Sequence, residues 1–157
     1  MEITQSVLIE SDVASVYRAF ADLTRWKGIL DDVLDATVLY DDGYHQEFTM
    51  TVARPAGPET VRGIRYCRPH RELELFQPQP PPGLRAMRGT WTFSQEDGGR
   101  RTRVVATRSF ELAPDGRGDG STLAGDEQAF ARKLSDILST NLHLFKKALE
   151  GNGSGHR

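Results

Sequence analysis

The sequence predicts an α+β domain in which a curved antiparallel sheet wraps around a long C-terminal helix. Apolar residues recur with period 2 from Leu34 to Leu112, which is typical of consecutive strands. Helical patterns precede this stretch, and a long one follows it at 123–149. With 157 residues and 38% hydrophobic content, the chain has the size of one globular domain. We therefore predict a single domain over 1–150 and a disordered tail over 151–157.

The N-terminal part predicts one strand and two helices. Residues 2–10 alternate as a strand does. Ser11 is predicted to cap the first helix, because its hydroxyl can accept from a free backbone amide. Thr24 is predicted to cap a second, short helix over 25–30. The apolar face of the first helix would consist of Val13, Val16, Tyr17 and Phe20.

Six strands are predicted to follow, joined by turns and by one stiff loop. Their expected positions are 34–40, 44–54, 59–69, the surroundings of Leu73 and Leu75, 84–95, and 101–112. The proline-rich run 76–83 reads as a surface loop, because proline cannot donate a ladder hydrogen bond. Residues 114–121 read as a flexible connector. A helix held across a twisted, curved sheet leaves a gap, and this gap predicts a small-molecule cavity.

The strand over 59–69 carries an unusual combination of side chains. Its two faces are Val61, Gly63, Arg65 and Cys67 on one side, and Thr60, Arg62, Ile64, Tyr66 and Arg68 on the other. If the second face points inward, it brings an arginine and a tyrosine into the interior, and the predicted function depends on that orientation. The alternative is that Arg68, beside Pro69 at the strand end, reaches solvent and Tyr66 places its hydroxyl at the rim.

Composition excludes several classes of function. A net charge of −2 gives no reason to expect binding to nucleic acid or to an anionic membrane. The single cysteine, Cys67, rules out an internal disulfide and fits a cytoplasmic protein. The four histidines lack metal-ligand spacing, and no nucleotide or phosphate motif is present, so neither a metal nor a cofactor is expected. No apolar run is long enough to cross a membrane.

Local segments, in order and spacing, resemble a known family. They are TRWKGIL (24–30), TVARP (51–55), VRGIRYCR (61–68), LRAMRGTWTF (84–93) and NLHLFKKALE (141–150). Together with the element order, they resemble the helix-grip fold of the START-like, Bet v 1-like (SRPBCC) superfamily. Within it, the chain resembles the bacterial type II polyketide aromatase/cyclases of the tetracenomycin type. The resemblance extends through Leu149.

The resemblance implies roles for single positions. Arg68 corresponds to the family's inward arginine, which orients substrate carbonyls. Tyr66 stands where the family pattern has serine, Ile64 where it has tryptophan, and Arg108 where it has glutamine. Positions that line or border the family's pocket correspond here to Trp26, Met87, Trp91 and Asn141.

These residues suggest a mechanism for cyclising a poly-β-ketone. Arg68 would stabilise an enolate, because its guanidinium stays charged and offers several donors. Tyr66, beside the two cations Arg68 and Arg108, would act as general acid and base. Alternatively, Arg108 pairs with Asp136 and takes no part in chemistry. The substrate would lie against Trp26, Leu30, Ile64, Met87, Trp91, Phe110 and Asn141.

The sequence therefore predicts a polyketide cyclase/aromatase that directs aldol cyclisation and dehydration of a tethered or released polyketide. A non-catalytic carrier of a hydrophobic molecule is one alternative, and a polyketide dehydratase or thioester hydrolase is another. Candidate partners are the polyketide and an acyl carrier protein, docked on a basic rim; monomer and homodimer both stay open. The rim residues would be Arg25, Lys27, Arg85 and Arg88.

Overall fold

The computed structural model describes residues 1–80, 83–113 and 123–154. In these residues a seven-stranded antiparallel sheet has the spatial order β1-β7-β6-β5-β4-β3-β2. The strands are β1 (Glu2–Ile9), β2 (Val33–Asp41), β3 (His45–Val52), β4 (Glu59–Arg68), β5 (Glu72–Phe76), β6 (Leu84–Glu96) and β7 (Arg101–Leu112). The helices are α1 (Val13–Ala21), α2 (Trp26–Ile29) and α3 (Leu123–Ser154), with short 3₁₀ turns at Leu23–Arg25 and Asp97–Gly99. The predicted α+β helix-grip architecture is confirmed.

Two predicted helix caps are wrong. The N-cap of α1 is Asp12, whose carboxylate accepts from the amide of Ser15 at 3.1 Å, and not Ser11. The 3₁₀ turn before α2 is capped by Asp22, which accepts from the amide of Thr24 at 3.1 Å. In both places a carboxylate stands near the amide-rich end of a helix, where it is a stronger acceptor than a neutral hydroxyl.

The end of α3 also differs from the prediction. The helix continues through Ser154, so a tail that is disordered from Gly151 onward is wrong for residues 151–154. A glycine lowers helix propensity by about 1 kcal/mol, and the long helix before it outweighs that cost. Residues 155–157, the predicted connector over 114–121, and Pro81 and Pro82 of the proline-rich loop lie outside the described residues.

The core lies between α3 and the inner face of the sheet. Gln5 Nε2 donates to Ser135 Oγ at 2.6 Å, and Lys146 Nζ donates to the carbonyl of Leu8 at 2.7 Å, so α3 is anchored along β1. Phe145 of α3 stacks on Phe20 of α1 with ring centroids 3.9 Å apart. Stacked and edge-on aromatic contacts add specific geometry to apolar burial, which fixes how the helices sit on the sheet.

The inward orientation predicted for Ile64, Tyr66 and Arg68 is wrong. Tyr66 is 44% exposed, and the side chain of Arg68 is 58% exposed. The buried positions of β4 are Gly63, Arg65 and Cys67. Since side chains alternate along a strand, an error of one residue in phase exchanges the two faces completely.

Neighbouring strands explain the phase of β4. A Cβ atom at Gly63 would lie 2.5 Å from Cζ of Phe48, so the ring of Phe48 on β3 occupies the space of the missing side chain. Arg65 lies opposite Gln46 of β3 and donates to it. The small glycine and the hydrogen-bonded arginine can therefore face a core that has no room for Tyr66.

Candidate functional site

Arg65 lies at the centre of the interior with no solvent exposure. Its Nε donates to Gln46 Oε1 at 2.9 Å, and its Nη2 donates to the carbonyl of Ala21 at 2.9 Å. Its Nη1 is buried and has no hydrogen-bond partner among the described residues. A buried donor without a partner is unusual, because it loses its hydration and gains nothing. This Nη1 is the nitrogen of the guanidinium that makes no hydrogen bond to the described residues.

Aromatic rings surround the same guanidinium. Its central carbon lies 5.3 Å from the ring centroid of Trp26, 5.5 Å from that of Trp91 and 5.8 Å from that of Phe48. Burial lowers the pKa of Arg65 to about 10, so the group stays charged at neutral pH. The surrounding π faces attract a cation and offset part of its lost hydration.

Gln46 connects Arg65 to the surface. Its amide Nε2 donates to the carbonyl of Ala21 at 2.9 Å and to Asp41 Oδ2 at 3.1 Å. The side-chain amide of Gln46 therefore lies between the carboxylate of Asp41 and the guanidinium of Arg65. This arrangement holds the guanidinium in place while leaving its charge without a direct carboxylate partner.

Arg108 of β7 lies on the same aromatic cluster, and its predicted inward orientation is confirmed. Its guanidinium carbon is 4.4 Å from the ring centroid of Trp91, and its Nη1 donates to the carbonyl of Thr107 at 2.7 Å. Burial first, and then the charge of Arg65, lower the pKa of Arg108 to about 10. Asp136, the alternative partner, is exposed, and the hydrogen bond of Arg108 goes to backbone.

A cavity of about 30 Å³ lies beside Arg108, between α3 and the sheet. This volume is enough for one water. Four residues predicted to contact substrate line it, namely Trp26, Leu30, Trp91 and Asn141. The rest of its wall is formed by Phe20, Arg108, Leu138, Leu142 and Phe145.

The other predicted contact residues lie elsewhere. Met87 and Phe110 are buried in a second apolar cluster with Leu84. They border a separate pocket of about 690 Å³ at the end of the sheet, near Phe76 and outside the cluster around Arg65. Ile64 lies on the outer face of β4. The structure thus divides the predicted substrate surface into an interior part and a part at the sheet end.

Tyr66 and Arg68 do not join the interior site. Arg68 Nη1 donates to Glu72 Oε1 at 2.6 Å on the outer face, and the ring of Tyr66 meets His45 edge-on at 5.4 Å. The ion pair of Arg68 is exposed, and such pairs contribute little to stability.

A groove of about 300 Å³ lies on the Gln46 side of the site. It is lined by Tyr17, Ala21, Asp41, Gln46, Cys67 and His70, among others. Burial, reinforced by Cys67, raises the pKa of Tyr17, and burial likewise raises the pKa of the Cys67 thiol. Both groups are therefore protonated at neutral pH. Polar side chains in the wall of this groove, such as that of Gln46, therefore lie between Arg65 and the protein surface.

Arg65, Gln46 and Tyr17 are site residues that the sequence did not predict. Gln46 is the first inward residue of β3 and is followed by three apolar ones, Phe48, Met50 and Val52. A single polar residue in such a series indicates that its side chain has a buried hydrogen-bond partner. For Gln46 that partner is Arg65 on the neighbouring strand β4.

Two classes of feature are absent from the described parts of the chain. Over residues 1–80, 83–113 and 123–154, no group of three or more His, Cys, Asp or Glu side chains is arranged to hold a metal ion. In the same ranges, no helix combines the length and apolarity that crossing a membrane requires.

Solved structures with the same fold include proteins described as aromatase/cyclases. The di-domain ARO/CYC StfQ from the steffimycin biosynthetic pathway superposes with a TM-score of 0.87 at 22% identity, covering 98% of this chain and 52% of that one. The Zhui aromatase/cyclase from Streptomyces sp. R1128 has a TM-score of 0.78 at 20% identity, covering 96% and 93%. TTHA0849 from Thermus thermophilus has a TM-score of 0.78 at 19% identity, covering 97% and 99%.

The chain spans about half the length of the di-domain proteins that it resembles. At these identities the likeness establishes the fold alone. No curated protein sequence matches the chain significantly. The family model described as "Polyketide cyclase / dehydrase and lipid transport" matches residues 9–136, which is most of the chain. The chain belongs to this polyketide cyclase/dehydrase and lipid transport family.

Proposed function

We propose that this protein is a polyketide cyclase/aromatase that folds a poly-β-ketone between α3 and the sheet and directs its aldol cyclisation and dehydration. The observation that carries the proposal is the fully buried guanidinium of Arg65, whose Nη1 has no hydrogen-bond partner among the described residues. Arg65 takes the role that the sequence resemblance gave to Arg68, because Arg65 is the inward arginine of β4.

The cyclisation depends more on a charged hydrogen-bond donor than on a strong base. A methylene between two carbonyls loses a proton readily, and the resulting enolate carbon attacks a second carbonyl to form the new carbon–carbon bond. Negative charge develops on an oxygen at each stage. Arg65 Nη1 would donate to that oxygen, and a pre-aligned donor of this kind commonly contributes about a hundredfold in rate.

Proton transfer falls to other groups. Arginine is a poor proton carrier at neutral pH, since it stays charged even with the lowered pKa of Arg65. Burial raises the pKa of Tyr17, so its phenol is protonated at neutral pH and cannot act as a base, but it can still protonate an alkoxide, which is a much stronger base. We assign proton removal to water, and we propose Tyr17 as the group that protonates an oxygen reached through the groove.

A polyketide requires more room than the cavity between α3 and the sheet has. Ligand pockets usually enclose about 300–1,000 Å³, whereas the cavity between α3 and the sheet holds about 30 Å³. The proposal therefore includes a movement of α2 or α3 away from the sheet when substrate enters. Trp26 of α2 and Phe145 of α3, whose rings meet edge-on at 5.5 Å, would separate in that movement.

A non-catalytic carrier is the second candidate function. The wall of the cavity is mostly aromatic and aliphatic, which favours binding of a hydrophobic molecule whether or not it reacts. A carrier would bind the same class of ligand and release it unchanged. Turnover separates the two functions.

The experiment is a reconstituted synthase that makes a reactive poly-β-ketone, run with and without this protein. We expect one cyclised aromatic product to replace the mixture that forms spontaneously, because the site imposes one fold on the chain. A carrier would leave the product ratios unchanged while binding the final product. An unchanged mixture would contradict the proposal. An acyl carrier protein stays a candidate partner, since Arg25, Lys27, Arg85 and Arg88 are all exposed.

A further inference from the structure

The interior holds two guanidinium groups that face the same indole ring. We propose that Arg65 and Arg108 together bind a carboxylate, so that the preferred ligand is a released, acidic polyketide and not its neutral thioester. The inference concerns the site described above and rests on the proposed function in taking that interior as the place where ligand binds. It assigns a substrate class that the proposed cyclisation leaves open.

The hydrogen bonds that Arg65 makes to the described residues leave its charge without a negative partner and one of its nitrogens without an acceptor. Both of its acceptors, the side-chain oxygen of Gln46 and the carbonyl of Ala21, are neutral. Its third nitrogen, Nη1, is buried without a partner among the described residues. A guanidinium presents five donors in one plane, and a carboxylate matches two of them at once.

The position of Arg108 depends on the absence of a side chain at Gly89. A Cβ atom at Gly89, which pairs with Arg108 across the strands, would lie 2.6 Å from Arg108 Nη1 and 2.7 Å from its Cδ. The missing side chain of Gly89 thus provides the space in which Arg108 lies over Trp91. The sheet has room for the cation at this place and would have none with any larger residue at position 89.

Among the described residues, the positive charges of Arg65 and Arg108 are not matched by a carboxylate in direct contact with either of them. Arg108 donates to a backbone carbonyl, and Asp41 reaches Arg65 only through Gln46. Burial first, and then the charge of Arg65, lower the pKa of Arg108, as expected for a buried cation with a second cation nearby. Buried charges of one sign are costly unless an opposite charge joins them. A ligand carboxylate supplies that charge, and a thioester carbonyl does not.

Two indole rings form an apolar wall beside the guanidinium of Arg65. Trp26 and Trp91 both lie within 5.5 Å of the Arg65 guanidinium carbon, measured to the ring centroids. They are the only two tryptophans of the chain. A ligand with a flat aromatic body and one carboxylate matches the chemistry of both the rings and the cations, and it would enter through the movement of α2 or α3 proposed above.

The test compares two probes of one shape, 2-naphthoate and 2-naphthamide, by isothermal titration calorimetry on the full chain at pH 7. We expect the carboxylate to bind the wild-type protein at least tenfold more tightly, on the order of one charge-assisted hydrogen bond. This comparison needs no mutation. In Arg108→Gln the ratio is expected to fall below about threefold, because one of the two cations is lost.

Arg103→Gln is the matched control. Arg103 lies on the same strand but pairs with Glu96 at 2.8 Å, so its loss removes one positive charge without touching the interior. The tenfold ratio should persist in this variant. Equal affinities of the two probes in the wild type, binding of neither at millimolar concentration, or the same loss of preference in Arg103→Gln would each overturn the inference.

The outcome is separable from that of the proposed function. A clear preference for the carboxylate together with an unchanged polyketide mixture would keep this inference and remove the catalytic role. Directed cyclisation together with equal probe affinities would keep the cyclase and remove the carboxylate site.

Discussion

Arg65→Met is expected to lower the rate of directed cyclisation about a hundredfold and to return the products to the spontaneous mixture. The substitution removes the buried donor while keeping an unbranched side chain that extends as far as the position of Nε. Replacement of a buried charge by an apolar group is often neutral for stability, although Gln46 Oε1 loses its donor at a cost of about 1–3 kcal/mol. Product ratios from the reconstituted synthase, with circular dichroism as a check on folding, give the result.

Arg68→Met is the matched control. It makes the same replacement three residues further on, in a side chain that is 58% exposed and paired with Glu72. The products should equal those of the wild type, and the free energy of unfolding should change by no more than about 0.5 kcal/mol. Spontaneous products from Arg68→Met, with wild-type products from Arg65→Met, would restore the roles that the sequence alone suggested.

Gly89→Ala is expected to have the largest effect on stability. The new Cβ would lie 2.4 Å from the carbonyl oxygen of Thr107, which is backbone and cannot move without β7. It would also displace Arg108 from Trp91. Overpacking of this kind costs about 1–3 kcal/mol. Urea unfolding measures that cost, and loss of the carboxylate preference reports the displaced arginine.

Gly28→Ala provides the comparison for this variant. Apart from its chain neighbours and the backbone of its own helix, no heavy atom of the described residues lies within 4 Å of a Cβ built at Gly28, which is in α2. The protein should keep its stability or gain up to about 1 kcal/mol, because alanine is the better helix former. A Gly89→Ala protein as stable as the wild type, with its carboxylate preference intact, would mean that Arg108 does not lie in the space beside Gly89.

The fold could be predicted from the sequence because its patterns are local. Strand β7 has the predicted limits, Arg101–Leu112, since its inward residues Val104, Ala106 and Phe110 follow period 2 and most residues between them are polar. The same regularity placed Arg108 inside. Turns and periodicity need no knowledge of distant contacts, so the order of elements followed from them.

The site could be predicted only in part, because the phase of β4 is not a local property. Both faces of that strand carry an arginine, so period 2 alone could not decide between Arg65 and Arg68. The decision depends on Phe48 filling the space at Gly63 and on Gln46 accepting from Arg65, and both partners lie on another strand. Similarly, Met87 faces inward as predicted, but its place along the sheet puts it in the second cluster.

The most direct measurement of the central claim follows the arginine side chains themselves. In nitrogen-15 labelled protein, the Nε–Hε signals of Arg62, Arg65, Arg68 and Arg108 can be assigned by single substitutions and observed while a cyclised aromatic product is added. We expect the signals of Arg65 and Arg108 to shift in a saturable way while those of Arg62 and Arg68, on the outer face, stay unchanged. Shifts confined to Arg62 and Arg68 would contradict it and place the ligand outside the sheet.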